Sequence, residues 1–94
     1  MKIERLPLNA LRAFAEAART ESFKSAASRL GVTPGAVSRQ IKQLEERLGI
    51  SLFARHANGV QLNEAGRQLA KEIDSGLERI ASGVMAARQH AHQA

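Results

Sequence analysis

Ser38, Arg39 and Lys42 stand within five residues of one another, just after Thr33-Pro34-Gly35. At the roughly 100° step of a helix they share one side with Gly35, while Val37, Ile41, Leu44 and Leu48 fall in a narrow arc on the other. The outward half is therefore small, polar and basic. Small residues let a helix approach base edges closely, and Ser, Arg and Lys reach bases or phosphates. Glu45 and Glu46 follow on the same helix; carboxylates beside phosphates are unfavourable, so that end is expected to point away from a polyanion. The plainer alternative is a surface helix with one basic face in an ordinary bundle.

Other chemistries find little to work with. Asp74 is the only aspartate and there is no cysteine. His90 and His92 are spaced i, i+2 and share no helix face, which makes them poor metal ligands. His56 has no evident nucleophile or acid partner, and no Gly-x-x-x-x-Gly-Lys-Ser/Thr phosphate loop occurs. No catalytic residue, metal or cofactor is assigned. Lack of cysteine also excludes a disulfide scaffold and suits a reducing cytoplasm. No apolar run reaches the ~20 residues of a membrane span, and Met-Lys-Ile-Glu-Arg lacks the apolar core of a signal peptide. A cytoplasmic protein without a membrane partner is expected.

The 94 residues suffice for one small domain, and 44% hydrophobic with 24% charged residues is a globular balance. The formal charge is +5. Residues 1–62 hold ten Lys/Arg against five Asp/Glu, whereas residues 63–94 hold four of each. The whole surplus lies in the first two-thirds, which suits a polyanion, most simply nucleic acid.

The elements that must position these groups read as helices almost throughout. Pro7 ends an N-terminal arm and Asn9 is the expected cap of a first helix to about Arg19, with Leu8, Leu11, Phe14 and Ala18 as its apolar stripe. Ser22 caps a second, with Phe23, Ala26, Ala27 and Leu30 at i, i+3, i+4 and i+7. Gly31 suits its left-handed end, and Thr33-Pro34 restarts the chain as cap and first-turn proline. The third helix runs to about Leu48, where Gly49 stops it. Two short helices across Gly31-Val32-Thr33 make a helix-turn-helix. Ala26 and Ala27 are small where the helices must cross.

After Gly49 the period changes. Ser51–Arg55 and Val60–Leu62 predict a small hairpin, with Ala57-Asn58-Gly59 as a turn in which Asn-Gly tolerates positive φ. Arg55, His56 and Asn58 would make it a basic-tipped wing. Such a wing touches backbone or minor groove and adds affinity with little sequence information. Asn63 and Glu64 then open a long helix. Ile73, Leu77, Ile80, Val84, Ala87 and Ala91 alternate spacings of four and three, a heptad seam; the final Ala87–Ala94 stretch is expected to fray. The chain divides into 1–62, a DNA-binding unit, and 63–94, a linker and dimerisation helix.

Several runs together resemble the N-terminal domain of LysR-type transcriptional regulators. They are Leu8-Asn9-Ala10-Leu11-Arg12-Ala13-Phe14, Ser22–Leu30, Val37–Glu45, Leu48–Arg55 and Leu62-Asn63-Glu64-Ala65-Gly66. The resemblance covers essentially the whole chain. It implies a mainly α, winged helix-turn-helix fold with a short β-hairpin wing and a long C-terminal dimerisation helix. It implies a bacterial regulator that reads double-stranded DNA with its third helix in the major groove. A small-molecule effector would act only through a larger sensing domain absent from this chain. Pro34-Gly35 stands where the family often has Gln followed by Pro or Ser, Lys24 replaces a usual hydroxyl, and Asn58 and Gln61 make the wing less basic.

The expected DNA contacts are Lys24 and Ser25 in the second helix, Thr33, Pro34, Gly35, Ser38, Arg39 and Lys42 around the third, and Arg55, His56 and Asn58 in the wing. Lys24 and Arg55 are expected on phosphates. Leu69, Ile73, Leu77, Ile80 and Val84 are the expected dimer seam, which would pair two recognition helices on a pseudo-palindromic operator. Two other readings compete. A single-stranded nucleic-acid binder would want aromatic stacking platforms, yet Trp and Tyr are absent and three Phe have core positions. A helical protein–protein assembly module would leave the helix-turn-helix unexplained.

Overall fold

The computed structural model describes residues 1–93. After a 3-10 turn at Ile3–Arg5 come α1 (Leu8–Thr20), α2 (Phe23–Leu30), α3 (Pro34–Leu48), β1 (Phe53–His56), β2 (Gly59–Leu62) and α4 (Glu64–Gln93). Local cap chemistry sets most boundaries. Ser22 Oγ accepts the Ser25 N–H at 3.1 Å, Thr33 Oγ1 accepts that of Ala36 at 3.1 Å, and Asn63 Oδ1 accepts that of Gly66 at 2.8 Å. Each cap satisfies a donor the first helical turn leaves open and contributes ~1 kcal/mol. Gly31 and Gly49 end α2 and α3 at φ 71° and 72°, where a Cβ would be strained.

The start of α1 differs from the sequence expectation. The Pro7 carbonyl already accepts the Leu11 N–H at 2.9 Å, so Pro7 is the boundary and Asn9 lies in the first turn rather than capping it. Leu8, counted in the apolar stripe, is 69% exposed.

The core forms where α1, α2, α3 and β1 meet. Phe14, Val37, Ile41, Leu44 and Leu52 are fully buried, and Ala17, Ala26 and Ala27 allow close helix crossing. Burying each large aliphatic contributes ~1.5–3 kcal/mol. The three phenylalanines join the layers: Phe14 and Phe23 each meet Phe53 edge to face, with centroids 5.6 and 5.3 Å apart.

β1 and β2 pair antiparallel from Phe53↔Leu62 to His56↔Gly59, leaving Ala57-Asn58 as the loop. Only Gly59 takes a positive φ there, at 139°, so Asn58 keeps an ordinary backbone. Glycine, having no Cβ, absorbs the unusual conformation by itself.

α4 has 30 residues and is about 45 Å long at 1.5 Å per residue. Its opening turns belong to the core: Gly66 is buried, and Leu69, Ala70 and Ile73 pack against the buried cluster. A methyl group at Gly66 would strike the Leu52 carbonyl oxygen and come within 2.9 Å of Leu62 Cδ2. From Leu77 outward every described residue is exposed. The helix continues through Gln93, so the stretch expected to fray is helical as far as it is described; Ala94 lies outside the described residues.

Candidate nucleic-acid interface

α3 is held by its inner face. Val37, Ile41 and Leu44 are buried, which turns Pro34, Gly35, Arg39 and Lys42 outward and leaves Ser38 half-buried between the two sides. Among the described residues neither Arg39 nor Lys42 has a carboxylate partner, and neither does Lys24 on the first turn of α2; Arg19, Arg29, Arg55 and Arg67 all do. Lys24, Arg39 and Lys42 are thus exposed, unpaired cations on the two helices of the helix-turn-helix.

Gly35 lies between these groups on the outer face. A Cβ there would meet no atom within 4 Å. Packing does not require this glycine, and in a helix it is unfavourable by up to ~1 kcal/mol relative to alanine. Its lack of a side chain leaves this part of the outer face low and open. Thr33 is exposed, but its hydroxyl oxygen is engaged in the α3 cap. Ser25 is exposed and free at its hydroxyl, its N–H being given to Ser22.

The wing lies against the start of α2. A shallow groove runs between Ser22, Phe23 and Lys24 on one side and Asn58, Gly59 and Val60 on the other. His56 and Asn58 are exposed at the tip. Glu21 secures the return strand by accepting the Leu62 N–H at 3.1 Å. Arg55 differs from the free cations. Its guanidinium lies 5.5 Å from the Phe23 ring centroid and 3.6 Å from Glu45.

Glu45 was missed as a building element by sequence reasoning. Its neighbour Glu46 is exposed as expected, but Glu45 turns toward the wing and accepts the Leu52 N–H at 2.7 Å. Glu16 plays a similar part on α1, pairing Arg19 at 2.8 Å and Arg29 at 2.7 Å, and Arg19 reaches Asp74 on α4 at 3.2 Å. No local signal in the sequence separates such carboxylates from solvated ones.

The seam residues divide. Leu69 and Ile73 are partly buried within the chain, while Leu77, Ile80 and Val84 are exposed, Ile80 by 64%. Ile73, Leu77 and Ile80 form one wall of an apolar groove of about 360 Å³, and Leu6, Leu8 and Leu11 form the other. No group of three His, Cys, Asp or Glu among the described residues is placed to hold a metal. No described helix is long and apolar enough to cross a membrane.

The comparisons agree with this arrangement. The chain is 51% identical over 76 residues to the transcriptional activator AmpR of Pseudomonas aeruginosa, a match covering 81% of this chain and 26% of that protein. It is 48% identical over 73 residues to the regulator TrpI of the same organism, covering 78% and 25%. It thus spans about a quarter of the length of the curated relatives it matches. Among solved structures, the DNA-binding domain of BenM in complex with catB site 1 DNA superposes with a TM-score of 0.84 at 30% identity, covering 92% of this chain and 96% of that one. The CbnR DNA-binding domain with DNA gives 0.80 at 28% identity, covering 92% and 99%. Residues 8–67 match the model of the bacterial regulatory helix-turn-helix proteins of the lysR family. With the winged helix-turn-helix in place and that match spanning most of the chain, the protein belongs to the LysR family of bacterial regulatory helix-turn-helix proteins.

Proposed function

We propose that this chain is the duplex-reading part of a transcriptional regulator acting on the bacterial chromosome in the cytoplasm. α3 enters the major groove with Pro34, Gly35, Ser38 and Arg39 nearest the bases and Lys42 at its edge. Lys24, Ser25 and Thr33 approach the flanking backbone, and Arg55, His56 and Asn58 of the wing follow it beyond the groove. The observation that carries this reading is the outer face of α3: unpaired cations around a glycine that internal packing does not need.

Two copies joined through Leu77, Ile80 and Val84 of α4, with Leu69 and Ile73 at the inner end of that seam, would set two such helices on a pseudo-palindromic site. The half-sites would lie about one helical turn apart, or a multiple of that. Small-molecule control belongs to a sensing domain outside this chain.

The decisive experiment selects bound sites from genomic fragments and titrates them with single-stranded competitor present. Duplex binding should survive a large excess of single strand. Ser38→Ala should cost ~1–3 kcal/mol on the selected site and relax preference at one base pair. Equal affinity of Ser38→Ala and wild type on every site variant removes Ser38 from base reading. Displacement by single strand overturns the duplex reading.

A further inference from the structure

Glu45 and Arg55 come from different elements, and the structure joins them into one unit. The Glu45 side chain is only 16% exposed although it lies on the helix proposed to read DNA. Its Oε2 accepts the Leu52 N–H at 2.7 Å, with the Phe53 N–H further off at 3.4 Å. Its Oε1 stands 3.6 Å from Arg55 Nη2. One carboxylate thus touches the backbone that leads into β1 and the cation that β1 carries. The face of that cation lies over Phe23, whose own ring is fixed at 89° against Phe53. A guanidinium has five N–H donors in a rigid fork. A carboxylate at one edge and a ring on one face leave the remaining donors free, and the side chain is 47% exposed.

We infer that Glu45 is a positioning residue for DNA binding: it holds Arg55 against Phe23, oriented to receive a backbone phosphate at a fixed distance from the recognition helix. The inference rests on the proposed duplex reading. A free arginine must give up most of its rotamer freedom when it grips a phosphate. Here carboxylate and ring favour one orientation of the guanidinium before any phosphate arrives. Net charge alone predicts the opposite of this geometry. Glu45 is a negative charge near a polyanion, so on electrostatic grounds its removal should tighten binding.

The test measures binding of the intact chain to a mixed-sequence duplex of about three helical turns across a salt series, by fluorescence anisotropy. Helicity and melting midpoints are checked by circular dichroism. Glu45→Gln keeps an oxygen for the Leu52 N–H but removes the charge facing Arg55. It should weaken binding about 5-fold despite the gain of one positive charge, because Arg55 must then be ordered on binding. Arg55→Ala should weaken binding and lower the salt slope by about one. In the Arg55→Ala background, Glu45→Gln should change affinity by less than about 1.5-fold, since the two residues act as a pair. Phe23→Leu keeps the core apolar but removes the ring face; it should weaken binding in the same way if Glu45→Gln proves unstable.

Glu45→Gln binding as tightly as wild type, or more tightly, overturns the inference. An equal penalty with and without Arg55 overturns it too, by placing the effect in the fold. If Arg55→Ala leaves the salt slope unchanged while Lys24→Ala lowers it, the inference falls and the duplex reading stands. If neither lowers it, the duplex reading falls as well.

Discussion

Gly66 and Gly83 lie on the same helix and meet opposite surroundings. At Gly66 a Cβ has no room, because the Leu52 carbonyl occupies its place; at Gly83 it would meet nothing within 4 Å. The same contrast separates Ile41, fully buried on α3, from Ile80, 64% exposed on α4. The elements up to Ile73 enclose the buried cluster, and among the described residues no buried side-chain nitrogen or oxygen lacks a partner. From Leu77 outward α4 is exposed, its apolar side meeting its own chain across the open groove lined by Leu6 and Leu8. Residue type alone therefore does not tell what a position does. An isoleucine or glycine on α4 packs in the core or stands exposed according to which turn it occupies.

Three pairs of measurements test that contrast. Ile41→Ala removes a buried side chain and should cost ~3 kcal/mol in urea unfolding, whereas Ile80→Ala should cost an isolated chain less than ~0.5 kcal/mol. Similar losses at both sites would mean that the far end of α4 has a home within its own chain. Next, Leu77→Asp combined with Ile80→Asp should raise the dimer dissociation constant by at least about 100-fold in sedimentation, since two charges would have to be buried in an apolar contact. The same variant should bind a half-site almost as wild type does. A double variant that stays dimeric places the seam elsewhere. Smallest in effect, Gly66→Ala should destabilise the chain by ~2 kcal/mol through the clash with Leu52. Gly83→Ala should stabilise its turn of helix by up to ~1 kcal/mol. Both are read from amide exchange and melting midpoints, and equal signs would erase the distinction between the two ends.

What the sequence reveals divides along similar lines. Ser22, Thr33, Asn63, Gly31 and Gly49 declare their roles openly, because a cap is made by residues within a few positions of each other. The inner face of α3 was equally legible, since Val37, Ile41 and Leu44 repeat with the helical period. The unpaired cations of the outer face followed from the same wheel. Glu45 was not legible. Its partners lie six to ten positions on, across the reversal at Gly49, and its neighbour Glu46 is chemically identical yet exposed. The packing role of Gly66 was not legible either, because the carbonyl that forbids a larger residue comes from Leu52, on the other side of the hairpin. The heptad spacing of α4 continues without a break from Ile73 to Val84. Only the packed chain shows that Ile73 is partly consumed by the core while Leu77, Ile80 and Val84 are not.

The seat of α4 on Leu52 also has a mechanical meaning. Beyond Ile73 the helix is braced to the rest of its chain mainly through the Arg19–Asp74 pair and the apolar groove beside Leu8. A rigid rod held near one end converts angle into displacement. With Gly66 as pivot, a tilt of ~5° would carry Gln93 sideways by roughly 3–4 Å over the length of a helix rising 1.5 Å per residue. The close seat of Gly66 on the Leu52 carbonyl, where no Cβ fits, fixes the inner end of that lever. Force applied at the far end of the rod would reach the core and β1 through the seated turns from Gly66 to Ile73 and through the Arg19–Asp74 pair.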